Sequence, residues 1–222
     1  MVARIQGATV SGSQSLAFSG AVVPGSLLIA VVRNGNYAPP DTNISVSDSV
    51  NGAWTTVMNQ PVGANDILAI AYKANTAAGT PTVSWSATTP GFSRFIIEEY
   101  GPMASDAAPY ASNSATAGQT TTFSSGAVTV SGDTLAIGGA ANEATSGVLA
   151  SDSPWATQDF IEKVIMAHQI SPANGSLTYT GTATGETIAS AGAIALFSIP
   201  AGGAADTYLI SRRRQTFFRA AQ

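Results

Sequence analysis

The sequence predicts an all-β protein: a two-sheet β-sandwich built from two similar halves, followed by an extended C-terminal arm. Three observations carry this prediction. Apolar residues come in short runs broken by Gly, Pro, Asn, Asp and Ser, the rhythm of strands and turns. Helical spacing of apolar residues is missing almost everywhere, so at most a short helical turn is expected. The order of motifs in the first half of the chain returns in the second.

In the first half, strands are expected near 3–10, 14–18, 26–33, 43–47, 53–58, 66–74, 80–86 and 93–101, with turn formers between them. Gly12 divides the first two, Pro24-Gly25 precedes the third, and Pro39-Pro40-Asp41 follows it. Asn51-Gly52, Gly63-Ala64-Asn65, Gly79 and Pro90-Gly91 punctuate the rest. In the second half they are expected near 121–130, 133–140, 161–170, 175–180 and 189–199. Asp159 to Met166 is the one candidate for helical spacing, but its β-branched residues and its partner in the first half make it a strand. Residues 102–120, rich in Ala, Ser, Pro and Gly, read as the connection between halves, and 201–206 as a hinge before the arm.

The repeat is specific in its order. Phe18-Ser19-Gly20-Ala21-Val22 through Gly25 to Ile29 answers to Phe123-Ser124-Ser125-Gly126-Ala127-Val128 through Gly132 to Ile137. Trp54 answers to Trp155, Ile67 to Lys73 answers to Val164 to Gln169, and Phe95 to Pro102 answers loosely to Ala193 to Pro200. Each half supplies four to six strands whose apolar face needs a cover, so the two halves are expected to share one two-sheet sandwich over residues 1–200 (halves about 1–102 and 120–200).

Composition removes several function classes. With no Cys there are no disulfides, thiolate metal sites or thiol nucleophiles. Charged residues make up only 10%, against about 25% in an ordinary domain, so much of the surface is small and neutral and cheap to bury against neighbours. The longest apolar run, Ser26 to Val32, is far short of the ~18–20 residues of a spanning helix, so no membrane is expected as a partner. Residues 1–7 lack a signal-peptide h-region, and the chain is expected to be made in the cytoplasm.

The candidate chemistry is sparse. His168, the single histidine, stands where Tyr72 stands in the first half and reads as a packing or rim residue. Glu98 and Glu99 are adjacent on a strand, point to opposite faces and so cannot act as a pair on one substrate; one is expected in solvent and one beside Arg94 or Arg33. Asp41-Thr42-Asn43 and Asp48-Ser49-Val50-Asn51-Gly52 have oxygen ligands for Ca²⁺, but the same residues make tight turns, and no metal or other cofactor is assigned. Trp54, Trp85 and Trp155 read as core, leaving Tyr37 and Tyr110 in loops as candidate ligand contacts that could stack on sugar rings.

The arm differs from the rest. Residues 1–211 hold five basic and all 13 acidic residues, a net −8, while Arg212, Arg213, Arg214 and Arg219 give the tail +4. With Phe217 and Phe218 beside them, these residues combine charge steering with aromatic anchors and read as a docking peptide. Nucleic acid is disfavoured as the partner, because four charges beside a body of −8 bind phosphates feebly.

Taken together, G-S-L-L-I-A-V-V (25–32), S-D-S-x-x-G-x-W-T (47–55), A-Y-x-A-N (71–75), A-x-G-x-P-x-V (77–83) and E-E-Y-G (98–101) resemble the jelly-roll, concanavalin-like sandwich domains in virion proteins of tailed bacteriophages. S-D-S-P-W (151–155) and L-F-S-I-P (196–200) are a degraded second version. The resemblance implies a jelly-roll-like fold and a non-enzymatic virion protein, decorating a capsid or belonging to a tail or fibre. Its partners would be other virion proteins and sister subunits, as a homo-oligomer such as a trimer. A carbohydrate-binding adsorption module for a host glycan is the alternative, and a glycoside hydrolase, whose acids this chain lacks, ranks below it.

Overall fold

The computed structural model describes residues 2–35, 43–103, 106–143, 148–184 and 188–200. The docking residues Arg212, Arg213, Arg214, Phe217, Phe218 and Arg219, and the candidate ligand contact Tyr37, lie outside them. The described residues form strands and turns without a helix, so the all-β expectation holds.

The first half contains β1 (Ala3–Ser11), β2 (Ser15–Ala17), β3 (Leu27–Gly35), β4 (Ser45–Asp48), β5 (Gly52–Ala53), β6 (Thr55–Val62), β7 (Asp66–Lys73), β8 (Thr82–Ser86) and β9 (Phe92–Gly101). The second contains β10 (Pro109–Thr120), β11 (Thr122–Val130), β12 (Thr134–Asn142), β13 (Val148–Ser151), β14 (Ala156–Ile161), β15 (Val164–Ile170), β16 (Gly175–Thr184) and β17 (Ile188–Ser198). Two expectations need correction. Much of the expected connection 102–120 is strand β10, whose small polar residues gave no apolar alternation to read. The Asp159–Met166 segment is not one strand but a hairpin, reversing at Glu162, which adopts φ 48°.

The expected single two-sheet sandwich is also corrected, because each half has two sheets of its own. The first half pairs its strands in the orders β1-β9-β3-β7-β6 and β2-β8-β4-β5, and the second in the orders β10-β17-β12-β15-β14 and β11-β16-β13. The order of the second five-stranded sheet is that of the first with each strand replaced by its repeat partner, which is the duplication in topological form. Three cores result. Leu28, Ala30, Val32, Trp54 and Phe95 fill the space inside the first sandwich, and Phe123, Ala136, Trp155, Ile165 and Tyr179 fill the second. The third core lies between the two five-stranded sheets, where Leu27, Ile29, Val31, Leu68 and Ile70 meet Leu135, Ile137, Val164, Met166 and Phe197. The layers therefore run outer, inner, inner, outer.

This stacking explains why every residue of β3 and of β12 is buried. Alternate residues of β3 serve different cores, odd numbers the central one and even numbers the first sandwich. In β12 the same demand is met by Gly138-Gly139. A Cβ on Gly138 would stand 2.6 Å from Cγ of Tyr179, and one on Gly139 would stand 3.2 Å from Cδ1 of Ile70. The missing side chains let both cores close on the strand.

The edges of the inner sheets also meet. On one side β6 lies against β10, where Ser114 Oγ donates to Gln60 Oε1 at 2.6 Å and Gln60 Nε2 donates to Thr116 Oγ1 at 2.7 Å. On the other side β1 lies against β14, and there the contact is ionic.

Candidate functional site: a polar seam between the sandwiches

The ladders set the equivalence between halves. Ile29 of β3 stands opposite Tyr72 and Glu98, while Ile137 of β12 stands opposite His168 and Ala195. Leu27 faces Tyr100, and Leu135 faces Phe197. The equivalent pairs are thus Tyr72 with His168, Glu98 with Ala195, and Tyr100 with Phe197, the last two each one residue away from the match read in sequence. Tyr100 in turn faces Arg4 and Phe197 faces Pro109, while Ile70 faces Met58 and Met166 faces Asp159.

These pairs meet across the central core in a reciprocal way. Tyr72 meets Phe197 edge to face, centroids 5.4 Å apart at 69°, and His168 meets Tyr100 at 5.4 Å and 81°. Exchanging the halves maps one contact onto the other, as a twofold relation requires. The chemistry does not follow the symmetry. The first location combines Tyr72 and Phe197 with Met58, Pro109 and Ala195; the second combines His168 and Tyr100 with Asp159, Arg4 and Glu98. The same edge-to-face contact is thus made once with apolar neighbours and once with polar ones.

In the polar version, Tyr100 Oη is hydrogen-bonded to Glu98 Oε2 and stands 3.0 Å from His168 Nδ1. Arg4 Nη2 donates to Asp159 Oδ2 at 2.6 Å, and Arg4 Nε lies 3.3 Å from Glu98 Oε1. Glu98 and Tyr100 are fully buried, while the side chains of Arg4 and Asp159 keep 27% and 22% of their exposure. The cluster thus runs from a buried carboxyl to the half-buried imidazole. Burial pushes Glu98 up to about 8, with Asp159 adding to the rise, while the Tyr100 hydrogen bond and Arg4 oppose it. Burial, and then the neighbouring Arg4 charge, push His168 below its usual 6.5. Tyr100 is raised well above the usual phenol range by burial and by Glu98. Burial thus favours the protonated form of Glu98 and the neutral form of His168.

The other sequence candidates fall elsewhere. Glu98 and Glu99 do point to opposite faces, but the expectation of one solvent-exposed acid fails because both are fully buried. The partner of Glu98 is Arg4, not Arg94 or Arg33. Glu99 turns into the first sandwich, accepting from the Val23 amide at 2.6 Å and from Gln6 Nε2 at 2.7 Å. Arg33 pairs with Asp66 in the interior, where burial raises Asp66 against the pull of Arg33, and Arg94 pairs with Glu162 across the halves. Asp48 serves its turn: it accepts from the amide of Val50 at 2.7 Å and from Trp54 Nε1 at 2.7 Å. Trp54, Trp85 and Trp155 are core, as expected. Tyr110 is on β10 rather than in a loop, 40% exposed, with its hydroxyl held by Thr134 Oγ1 at 2.7 Å and by the Ser131 amide at 3.2 Å. Among the described residues no group of three or more His, Cys, Asp or Glu is placed to hold a metal.

Sequence reasoning missed Arg4, Tyr100 and Asp159. The available signal was the register of the repeat: polar residues at positions whose partners in the other half are apolar. No family model matches the chain, and neither does a curated protein or a solved structure.

Proposed function

We propose that this chain is a non-enzymatic structural subunit of a phage virion, a capsid-decoration or tail- or fibre-associated protein, anchored through its C-terminal arm to sister subunits and neighbouring virion proteins. The observation that carries the reading is how the body uses its cations. Arg4, Arg33 and Arg94 are ion-paired inside the molecule, and Lys73 Nζ donates to the Ala53 carbonyl at 3.0 Å. The body keeps little positive charge to offer a partner, and the arm carries four of the nine basic residues. An acidic block of stacked sandwiches with a basic, aromatic arm suits a repeated subunit: each arm meets an acidic neighbour, Phe217 and Phe218 fill apolar pockets, and symmetry multiplies a modest contact. The motif resemblance to phage virion domains supports the same reading. The opposite facing of Glu98 and Glu99 speaks against a paired-carboxylate hydrolase.

The test is incorporation. A chain lacking residues 206–222 should fail to enter the assembly that the full chain enters, and equal incorporation refutes the reading. The exposed ring of Tyr110 favours a second role, glycan contact during adsorption. A glycan screen in which Tyr110→Ala loses a hit made by the parent chain would establish it, and silence across the screen would leave a structural role alone.

A further inference from the structure

We propose that Tyr100 and His168 form a proton relay through which solvent loads and unloads the buried carboxyl of Glu98, making the seam between the two sandwiches sensitive to pH.

The geometry gives the relay its direction. Tyr100 has one hydroxyl proton and two neighbours, Glu98 Oε2 and His168 Nδ1, both in contact with the same oxygen. Two arrangements satisfy all three groups. When Glu98 is ionised, Tyr100 donates to Glu98 and His168 carries its proton on Nδ1, donating it to Tyr100. When Glu98 is protonated, its O–H donates to Tyr100, Tyr100 donates to His168 Nδ1, and the imidazole carries its proton on Nε2. One added proton separates the two states. It binds at Nε2 of the half-buried imidazole, the Nδ1 proton passes to the Tyr100 oxygen, and the Tyr100 proton passes to Glu98 Oε2. No oxidant or reductant is needed, and His168 ends neutral in both.

The route sets which oxygen of Glu98 takes the proton. Oε2 is the oxygen in contact with Tyr100 Oη, so a proton that travels through Tyr100 arrives there, while Arg4 Nε lies 3.3 Å from Oε1 without a hydrogen bond to it. Among the described residues the other charged group at the cluster is Asp159 on β14, which accepts from Arg4 and also raises Glu98 by charge and by a side-chain hydrogen bond, so it competes with Tyr100 for the Glu98 proton. Leu27 and Ile29 of β3 and Met166 of β15, the ladder neighbours of Tyr100, Glu98 and Asp159, carry no charge. With Glu98 protonated the cluster is neutral; with Glu98 ionised it carries a net −1 at the contact between sandwiches. The twin at Tyr72 and Phe197 has Ala195 in place of the carboxyl and no imidazole.

Because His168 is the sole histidine, its imidazole ¹⁵N and Cε1–H resonances are assigned without ambiguity in the full chain. The relay predicts that the neutral imidazole changes from the Nε2–H to the Nδ1–H tautomer between about pH 7 and 9, and that Glu98→Gln abolishes the change. Tyr100→Phe, which places at this position the residue its twin has, should also abolish it while the protein stays folded. A single tautomer across the range overturns the proposal, since no Glu98 proton then passes through Tyr100. A tautomer change that survives Tyr100→Phe overturns it equally.

Discussion

Replacing Glu98 by Gln should make the protein more stable at alkaline pH and leave it nearly unchanged at pH 5. In the unfolded chain Glu98 titrates near 4.5, and in the folded one near 8. Between these values the folded state holds a proton that the unfolded state has lost, so stability falls as pH rises, by ~1.4 kcal/mol per unit. Over the whole interval the ceiling is about 5 kcal/mol, and coupling to Tyr100 and Arg4 will take a share of it. His168 acts in the opposite sense: its folded pKa is lowered, so its penalty grows only as pH falls below 6.5. The two effects confine greatest stability to the mildly acidic range. Glu98→Gln is neutral throughout, and its amide oxygen can face Arg4 while its NH₂ faces Tyr100. Urea unfolding at pH 5, 7 and 8.5 measures the difference. The variant should match the parent within about 1 kcal/mol at pH 5 and exceed it by roughly 2 kcal/mol or more at pH 8.5. Parallel stability profiles would refute the assignment of a neutral, buried Glu98.

Three further outcomes follow from the packing. Gly138→Ala puts a methyl into the ring of Tyr179, which cannot retreat because its hydroxyl is held by Ser151 at 2.8 Å and its face by Trp155 at 4.7 Å; thermal melting should show a loss of about 1–3 kcal/mol. Ile137→Ala removes a fully buried side chain from the central core, and chemical denaturation should record a cost of roughly 2–5 kcal/mol. Asp48→Ala strands the amides of Val50 and Asn51 and the Trp54 indole donor in one turn, for an expected loss of about 2–3 kcal/mol by calorimetry, with the turn's amides exchanging faster.

Much of the fold was legible in the sequence, and its failures have physical causes. The duplication could be read because Phe18 and Phe123, and Trp54 and Trp155, do the same work in two separate cores. The number of layers was misread although a signal existed: Leu27 to Val32 is an unbroken apolar run, and a strand with one wet face alternates. A continuous run means both faces are covered, hence a sandwich that stacks on another. Strand β10 stayed hidden because it lies at a sheet edge and is built from Ala, Ser, Asn and Thr. The polar seam was hidden for a different reason. Arg4 and Asp159 are 155 residues apart, and nothing local marks them; only the register of the ladders brings them to Glu98. His168 did stand out, and its equivalence to Tyr72 pointed correctly to packing, but its partner Tyr100 needed the three-dimensional pairing.

The assembly reading rests on the arm, and the solution mass tests it most directly. Light scattering on the full chain and on a chain ended at Ala205 separates the outcomes. The expected result is an oligomer for the full chain and a monomer for the shortened one. Equal masses for the two would contradict a role for residues 206–222 in joining copies of this protein.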